Sequence, residues 1–223
     1  MKLVHPDLQF QVEFAEQIIP VFIVESPVRW RDIQRELLSQ YHGGEGKWML
    51  SDQEKEIKFN KSVEMIMNPM ILEENDRRIV NAFLQTFGET ASNEVYWKRA
   101  QDLNVAIQKF FSEIESEYPF EYNIHREIDF PALAKAMGIR LESEYENDLE
   151  RLIQYCILTK EIMHVKLFIF FNLHSFFTEK ELGQLYQEII YRKWNVLLFE
   201  TDVFGRISGE KYYIIDRDNC EIY

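Results

Sequence analysis

Apolar residues fall along this chain in two ways, as short dense blocks and as long spaced stripes. The first 24 residues read as β. Phe10, Val12 and Phe14 alternate with polar neighbours, and 18–24 is dense enough for a buried strand. Pro20 in that block argues for a strand start or an edge, because it cannot donate to a ladder. Ser26-Pro27 matches an N-cap followed by proline in the first helical turn. The helix it opens runs to about residue 40, with Trp30, Ile33, Leu37 and Leu38 as its apolar stripe. Glycines at 43, 44 and 46 make a turn, and the short runs 48–50 and 56–59 flank Ser51-Asp52 as a hairpin. A last strand over 63–67 stops at Asn68-Pro69.

The spacing then changes. Ile79, Val80, Phe83, Leu84 and Phe87 mark a helix over 74–87 that ends near Gly88. Val95, Tyr96, Leu103, Ile107, Phe110, Phe111 and Ile114 mark a second over 92–116. At 1.5 Å per residue that second helix is about 37 Å long, which suggests a projecting antiparallel pair. Tyr118-Pro119 ends it, and a short helix over 129–137 closes at Gly138. A further helix spans 144–163, with Leu149, Leu152, Ile153, Cys156 and Ile157 inward. The block 166–171 has the continuous apolarity of a central parallel strand covered on both faces. Thr178 and Glu181 form a capping box for the next helix, 195–199 is a second buried strand, and 212–215 and 221–223 close the chain. The order from 139 to 199 reads βαβαβ. Together with the strand, helix and hairpin at 18–59, it predicts an α/β head built from residues 1–63 and 142–223. A helical insertion over 64–141 interrupts it.

Composition narrows the class. The chain has 223 residues, 46% hydrophobic and 28% charged, enough for a sizeable core and incompatible with global disorder. Two cysteines exclude a disulfide scaffold and a four-cysteine zinc site. The longest unbroken apolar run, 167–171, falls far short of the roughly 18 residues that span a bilayer. The N-terminal residues lack the apolar core of a secretory signal, so a cytosolic protein is expected. Net charge is −13, and its distribution is uneven. Residues 21–61 carry seven basic and seven acidic side chains, whereas 111–150 carry three and eleven. A nucleic-acid surface therefore has to be a local basic patch on an acidic body.

Few segments carry chemistry. The turn at 43–47 is no phosphate loop. Tyr41 stands where the first glycine belongs, Trp48 follows Lys47 in place of Ser or Thr, and a strand comes next where a helix should begin. Glu200 at a strand end reads either as a metal-binding acid or as a hydrogen-bonding residue. His5, His42, His125, His164 and His174 show no metal-site spacing, and Cys156 on an apolar stripe is a core residue. The acids Glu113, Glu115, Glu117, Glu121, Glu127 and Asp129 at the end of the long helix are either a solvated face or oxygen ligands for Ca²⁺. Lys47, Lys55, Lys58 and Lys61 are either solvated charge or phosphate contacts. Lys55 and Lys58 in one strand would point opposite ways and make no stripe alone.

The C-terminal half carries a resemblance. Residues 166–172 (KLFIFFN), 176–182 (FFTEKEL), 185–189 (LYQEI), 195–200 (NVLLFE) and 213–218 (YIIDRD) follow one another as strand, capped helix and strand ending in glutamate. Residues 131–139 (PALAKAMGI) form a short helix closing on a Gly-hydrophobic pair. This arrangement resembles the ring-forming, DNA-end-binding accessory protein family of type II-A CRISPR spacer acquisition. The resemblance implies an α/β head with a P-loop-ATPase-like mixed sheet that lacks a nucleotide site, interrupted by a projecting helical leg. It implies a bacterial, cytoplasmic, non-enzymatic homotetramer whose lysine-lined ring encircles double-stranded DNA. It further implies stabilisation by Ca²⁺ and contacts with the CRISPR integrase pair and the guided nuclease. On that basis the inner wall is expected at Lys47, Lys55, Lys58 and Lys61, and calcium ligands at Glu117, Glu121, Glu127 and Asp129. Asn123 stands where relatives can carry an acid. Two rivals stay open: a protein-binding adaptor without DNA affinity, and a divergent metal-dependent nuclease or NTPase using Glu200 and the acidic cluster.

Overall fold

The computed structural model describes every residue except Glu54, Glu121, Ser143 and Arg206. The chain divides into two compact units, Met1–Glu73 with Ser143–Tyr223, and Glu74–Glu142.

The first unit is built on a six-stranded sheet. In chain order its strands are β3 (Ile19–Val24), β6 (Val63–Ile66), β7 (Leu167–Phe171), β8 (Asn195–Glu200), β9 (Glu210–Ile215) and β10 (Glu221–Ile222). They lie in the order β10-β9-β3-β8-β7-β6. All neighbours are parallel except β10, which runs antiparallel to β9. The dense apolar blocks are its central strands, buried along their whole length in β3 and β7. Pro20 lies in a central strand, yet the ladder survives. Ile19 donates its N–H to Gly209 on the β9 side, so the next residue faces β8, whose pairing with β3 starts only at Val21. The proline thus occupies the one position where β8 asks for no donor.

One face of this sheet is covered by helix α1 (Pro27–Tyr41) and a second, antiparallel sheet. That sheet comprises β1 (Lys2–Val4), β2 (Val12–Glu13), β4 (Met49–Asp52) and β5 (Lys55–Ile57), in the order β2-β1-β4-β5. The N-terminal alternation therefore yields a strand of only two residues at Val12, although Phe10 and Val12 are both buried. Phe22, Trp48, Phe171 and Phe199 meet Ile33 and Leu37 of α1 in the core between the layers. The alternation along β6–β9 puts Glu64, Phe168, Phe170, Leu198, Glu200 and Glu210 on the opposite face. There α6 (Asp148–Met163) and α7 (Glu179–Tyr191) lie, tied to it by Tyr155 and Tyr186. Thr178 and Glu181 form the capping box that opens α7.

Two expectations need correction. The first unit extends ten residues past 63, because β6 pairs with β7 and belongs to the sheet. The βαβαβ order also has no strand at 139–142. Asn75 holds both backbone groups of Leu141, donating from Nδ2 to its carbonyl at 3.0 Å and accepting its N–H at 3.1 Å. Those groups are satisfied outside any sheet.

The second unit is helical, with α3 (Arg77–Ala91), α4 (Trp97–Glu115) and α5 (Phe130–Ala136). Gly88 does not end α3. It sits where α5 comes closest, and a Cβ there would lie 3.0 Å from Pro131 Cδ. The close pair is α3 with α5. Asn93 delays the start of α4 by accepting the N–H groups of Val95 and Tyr96. The helix is 19 residues, about 28 Å. None of its residues is buried. Of its apolar stripe, Leu103, Phe110 and Phe111 are exposed and Ile107 and Ile114 half-buried.

Candidate nucleic-acid interface

The four lysines expected to meet phosphate fall into two environments. Lys47 precedes β4, and its Nζ lies 2.7 Å from Asp7 Oδ2. Its N–H donates to Glu36 Oε1 at 2.6 Å. The hydrogen bond to Asp7 raises the Lys47 ammonium above its ordinary value and lowers the Asp7 carboxyl. The charge of Lys47 is thus already answered by a carboxylate.

Lys55, Lys58 and Lys61 are exposed, and none forms an ion pair among the described residues. Lys55 opens β5, the outer strand of the small sheet. Because β5 ends at Ile57, Lys58 is not a strand residue. It is the N-cap of the one-turn helix α2 (Phe59–Ser62), in whose last turn Lys61 lies. Phe59 and Ser62 are buried and anchor this turn. Lys58 and Lys61 bracket this turn, both exposed, with Lys58 in an extended conformation (φ −64°, ψ 114°) just outside the helix. The strand alternation read from the sequence does not apply to them.

The glycine turn beside them is a folding device. The Gln40 side chain clamps Trp48, accepting its N–H at 3.0 Å and donating to its carbonyl at 2.9 Å. A Cβ on Gly46 would lie 2.4 Å from Gln40 Cγ. Gly43 adopts φ +85°, and its N–H goes to Gln40. These groups are engaged within the turn. At the carboxyl end of β3, where open parallel sheets hold nucleotides, only Glu25 and Ser26 connect to α1, and the Glu25 N–H is taken by Ile215. Two residues without glycine make no phosphate cradle.

The acidic residues are dispersed in role. Glu117 follows α4 and donates its N–H to Ile114. Glu127 is exposed. Asp129 is the N-cap of α5, its Oδ1 accepting the Ala132 N–H at 3.0 Å. Glu121 lies outside the described residues. Among the described residues no three acid, histidine or cysteine side chains are grouped to hold a metal ion. The described carboxylates of one chain therefore do not group into a calcium site.

The most elaborate polar cluster escaped the sequence reading. Glu200 is fully buried at the end of β8, and its Oε1 accepts from both the N–H and Nδ1 of His174. His174 Nε2 lies 2.9 Å from Glu210 Oε1, which also accepts from Tyr186. Glu210 Oε2 accepts from Tyr212 and from the Ile207 N–H. Burial pulls the imidazole down, but its hydrogen bonds to Glu200 and Glu210 outweigh this and raise it to about 9. Burial, with Glu210 alongside, pushes the Tyr186 hydroxyl far up. Glu210 is lowered despite its own burial by the donors around it. The signal was a glutamate ending one dense apolar block and another beginning the next. Cys156 is a core residue whose thiol burial pushes well up, as its apolar stripe implied.

A family model described as CRISPR-associated protein (Cas_Csn2) matches residues 40–219. Similar solved chains include one titled "Putative ABC transporter (ATP-binding protein)" from Pyrococcus furiosus, at 8% identity and TM-score 0.40, covering 95% of this chain and 97% of that one. A bacterial Atm1-family ABC exporter with ATP bound is similar at 9% identity and TM-score 0.42, covering 93% of this chain and 33% of that one.

Proposed function

This chain belongs to the CRISPR-associated Cas_Csn2 family, and from that premise we propose that it binds the ends of double-stranded DNA without reading sequence, as a closed ring of four copies. In this role it supports acquisition of new spacers alongside the integrase pair and the guided nuclease, in the bacterial cytoplasm. The observation that carries the reading is the Lys58–Lys61 pair. On a body of net charge −13, these two exposed ammonium groups bracket one turn, with Lys55 close in sequence, and form no ion pair among the described residues. Such groups suit phosphate oxygens, which position a duplex without reporting its sequence.

Assembly is supported by α4. On this 19-residue helix no residue is buried, Leu103, Phe110 and Phe111 of its stripe stay exposed and Ile107 and Ile114 are only half-buried, so the apolar face needs further cover. A second copy meets that need and brings several lysine pairs around one duplex. A closed ring of lysines requires a free end for threading. The proposal contains no chemical step: the strand-to-helix connection after β3 holds no phosphate loop, and Glu200 is engaged with His174. Calcium is proposed from the resemblance and the acidity of 111–150. Because the described carboxylates of one chain do not fit the ion, no step is routed through it.

The test is a gel shift with linear and relaxed circular duplex of equal length, with Ca²⁺ and with chelator, beside a light-scattering mass of the free protein. Binding of the linear form alone by a species of about four chains supports the ring. Loss of that binding in chelator supports calcium. Absence of binding to both forms at low salt sinks the ring and favours the adaptor, for which the uncovered α4 stripe is the partner surface.

A further inference from the structure

His174 lies in a short turn, Leu173–Ser175, directly after β7. Its ring is almost fully buried, and each ring nitrogen faces a carboxylate oxygen, Nδ1 at 3.0 Å from Glu200 and Nε2 at 2.9 Å from Glu210. A neutral imidazole has one donor and one acceptor, so one nitrogen would face oxygen lone pair to lone pair. The arrangement requires one proton more than a neutral ring and two carboxylates supply. That proton does not belong on the contacted carboxylate oxygens. Glu210 Oε1 already accepts from Tyr186 and Glu200 Oε1 the His174 N–H, while Tyr212 and the Ile207 N–H donate to Glu210 Oε2 and hold that group as a carboxylate. Phe204 stacks on the ring at 5.4 Å and closes one side.

We propose that His174 is a clasp protonated at neutral pH, an imidazolium that binds the end of β7 to β8 and β9 and lets this face of the sheet loosen when the proton is lost in alkali. The groups around it are Glu200 on β8, Glu210 and Tyr212 on β9 and Tyr186 on α7. In the connection between β8 and β9, the Asp202 carboxylate accepts the Val203 N–H, and Arg206 lies outside the described residues. The sign follows from the imidazole being raised in the folded chain, to about 9 from an ordinary 6.5. The contribution is complete below about 6.5 and disappears as pH rises through about 9. The clasp is independent of the DNA-binding reading.

The direct experiment is ¹⁵N NMR of the histidine side chains of the full chain from pH 6 to 10. One ring of the five is expected to keep both nitrogens protonated at pH 8 and to titrate near 9. In Glu210→Gln the amide can donate to Nε2, so the same signal should titrate lower, which also assigns it to His174. A thermal melt series should show His174→Gln losing the decline in stability between pH 7 and 10 that the parent chain shows. If that variant does not fold, the wild-type titration and Glu210→Gln decide alone. All five rings neutral at pH 8, or no signal moved by Glu210→Gln, overturns the proposal.

Discussion

A lysine's worth for binding an anion depends on what already holds it. Lys47 and Asp7 are forty positions apart, and their pairing is a product of the fold, invisible to the count of basic residues. Lys47→Ala should therefore weaken duplex binding less than Lys58→Ala or Lys61→Ala in titrations at fixed salt. Asp7→Asn should strengthen it by releasing the ammonium. The reverse order would place Lys47 on the wall and Lys58 off it. The same lesson applies to the acids: Asp129 was legible as an acid near a helix start, but its oxygen is occupied as a cap. Glu200 was legible as a strand-end acid. Its meaning came from His174, 26 positions before it, and from Glu210 at the head of the next strand, partners that only the fold brings together.

Elements were easier to foresee than their ends. The dense blocks became the central strands because continuous apolarity is what burial on both faces demands. The capping box at Thr178 fixed the start of α7 through local bonds alone. The errors came where a tertiary contact or a local side-chain bond overrides the apolar spacing. Gly88 looked like a helix end and is a contact point with Pro131, while Asn93 shortened α4 through a bond that no periodicity reports. The turn at 43–46 offers a sharp test of how glycine is used. Gly46→Ala places a methyl 2.4 Å from Gln40 Cγ, so the flexible Gln40 side chain must swing off Trp48. Losing those two hydrogen bonds should cost about 1–3 kcal/mol in urea denaturation. Gln40→Ala removes the obstacle along with the clamp, so Gly46→Ala added to it should cost much less than it does alone. Equal costs in the two backgrounds would show that the glycine serves some other purpose.

At the scale of the whole molecule, the discontinuous head was legible because strands of one apolar kind sit at both ends of the chain. The limits of the insertion were not, since β6 is four residues long and joins the sheet through a partner a hundred positions later. Assembly and DNA binding can be separated. Phe110→Glu changes a side chain that is 59% exposed in one copy, so the melting temperature of the chain should hardly change while its light-scattering mass falls. An unchanged mass would remove α4 from the interface. The number of copies that touch DNA is then available from salt. Four copies carry −52, four times −13, so their attraction to a polyanion must come from segregated lysines and must weaken steeply with salt. Each phosphate contact contributes a slope of about 0.9 to log K against log salt. If one protomer alone touches the duplex, Lys58→Ala should lower that slope by about 0.9 at most. If a ring presents Lys58 from every copy, the same substitution should lower it by up to about 3.6. A fall near the larger figure, with linear duplex only, is what encirclement requires. A fall near the smaller one means a protein that lies against DNA from one side.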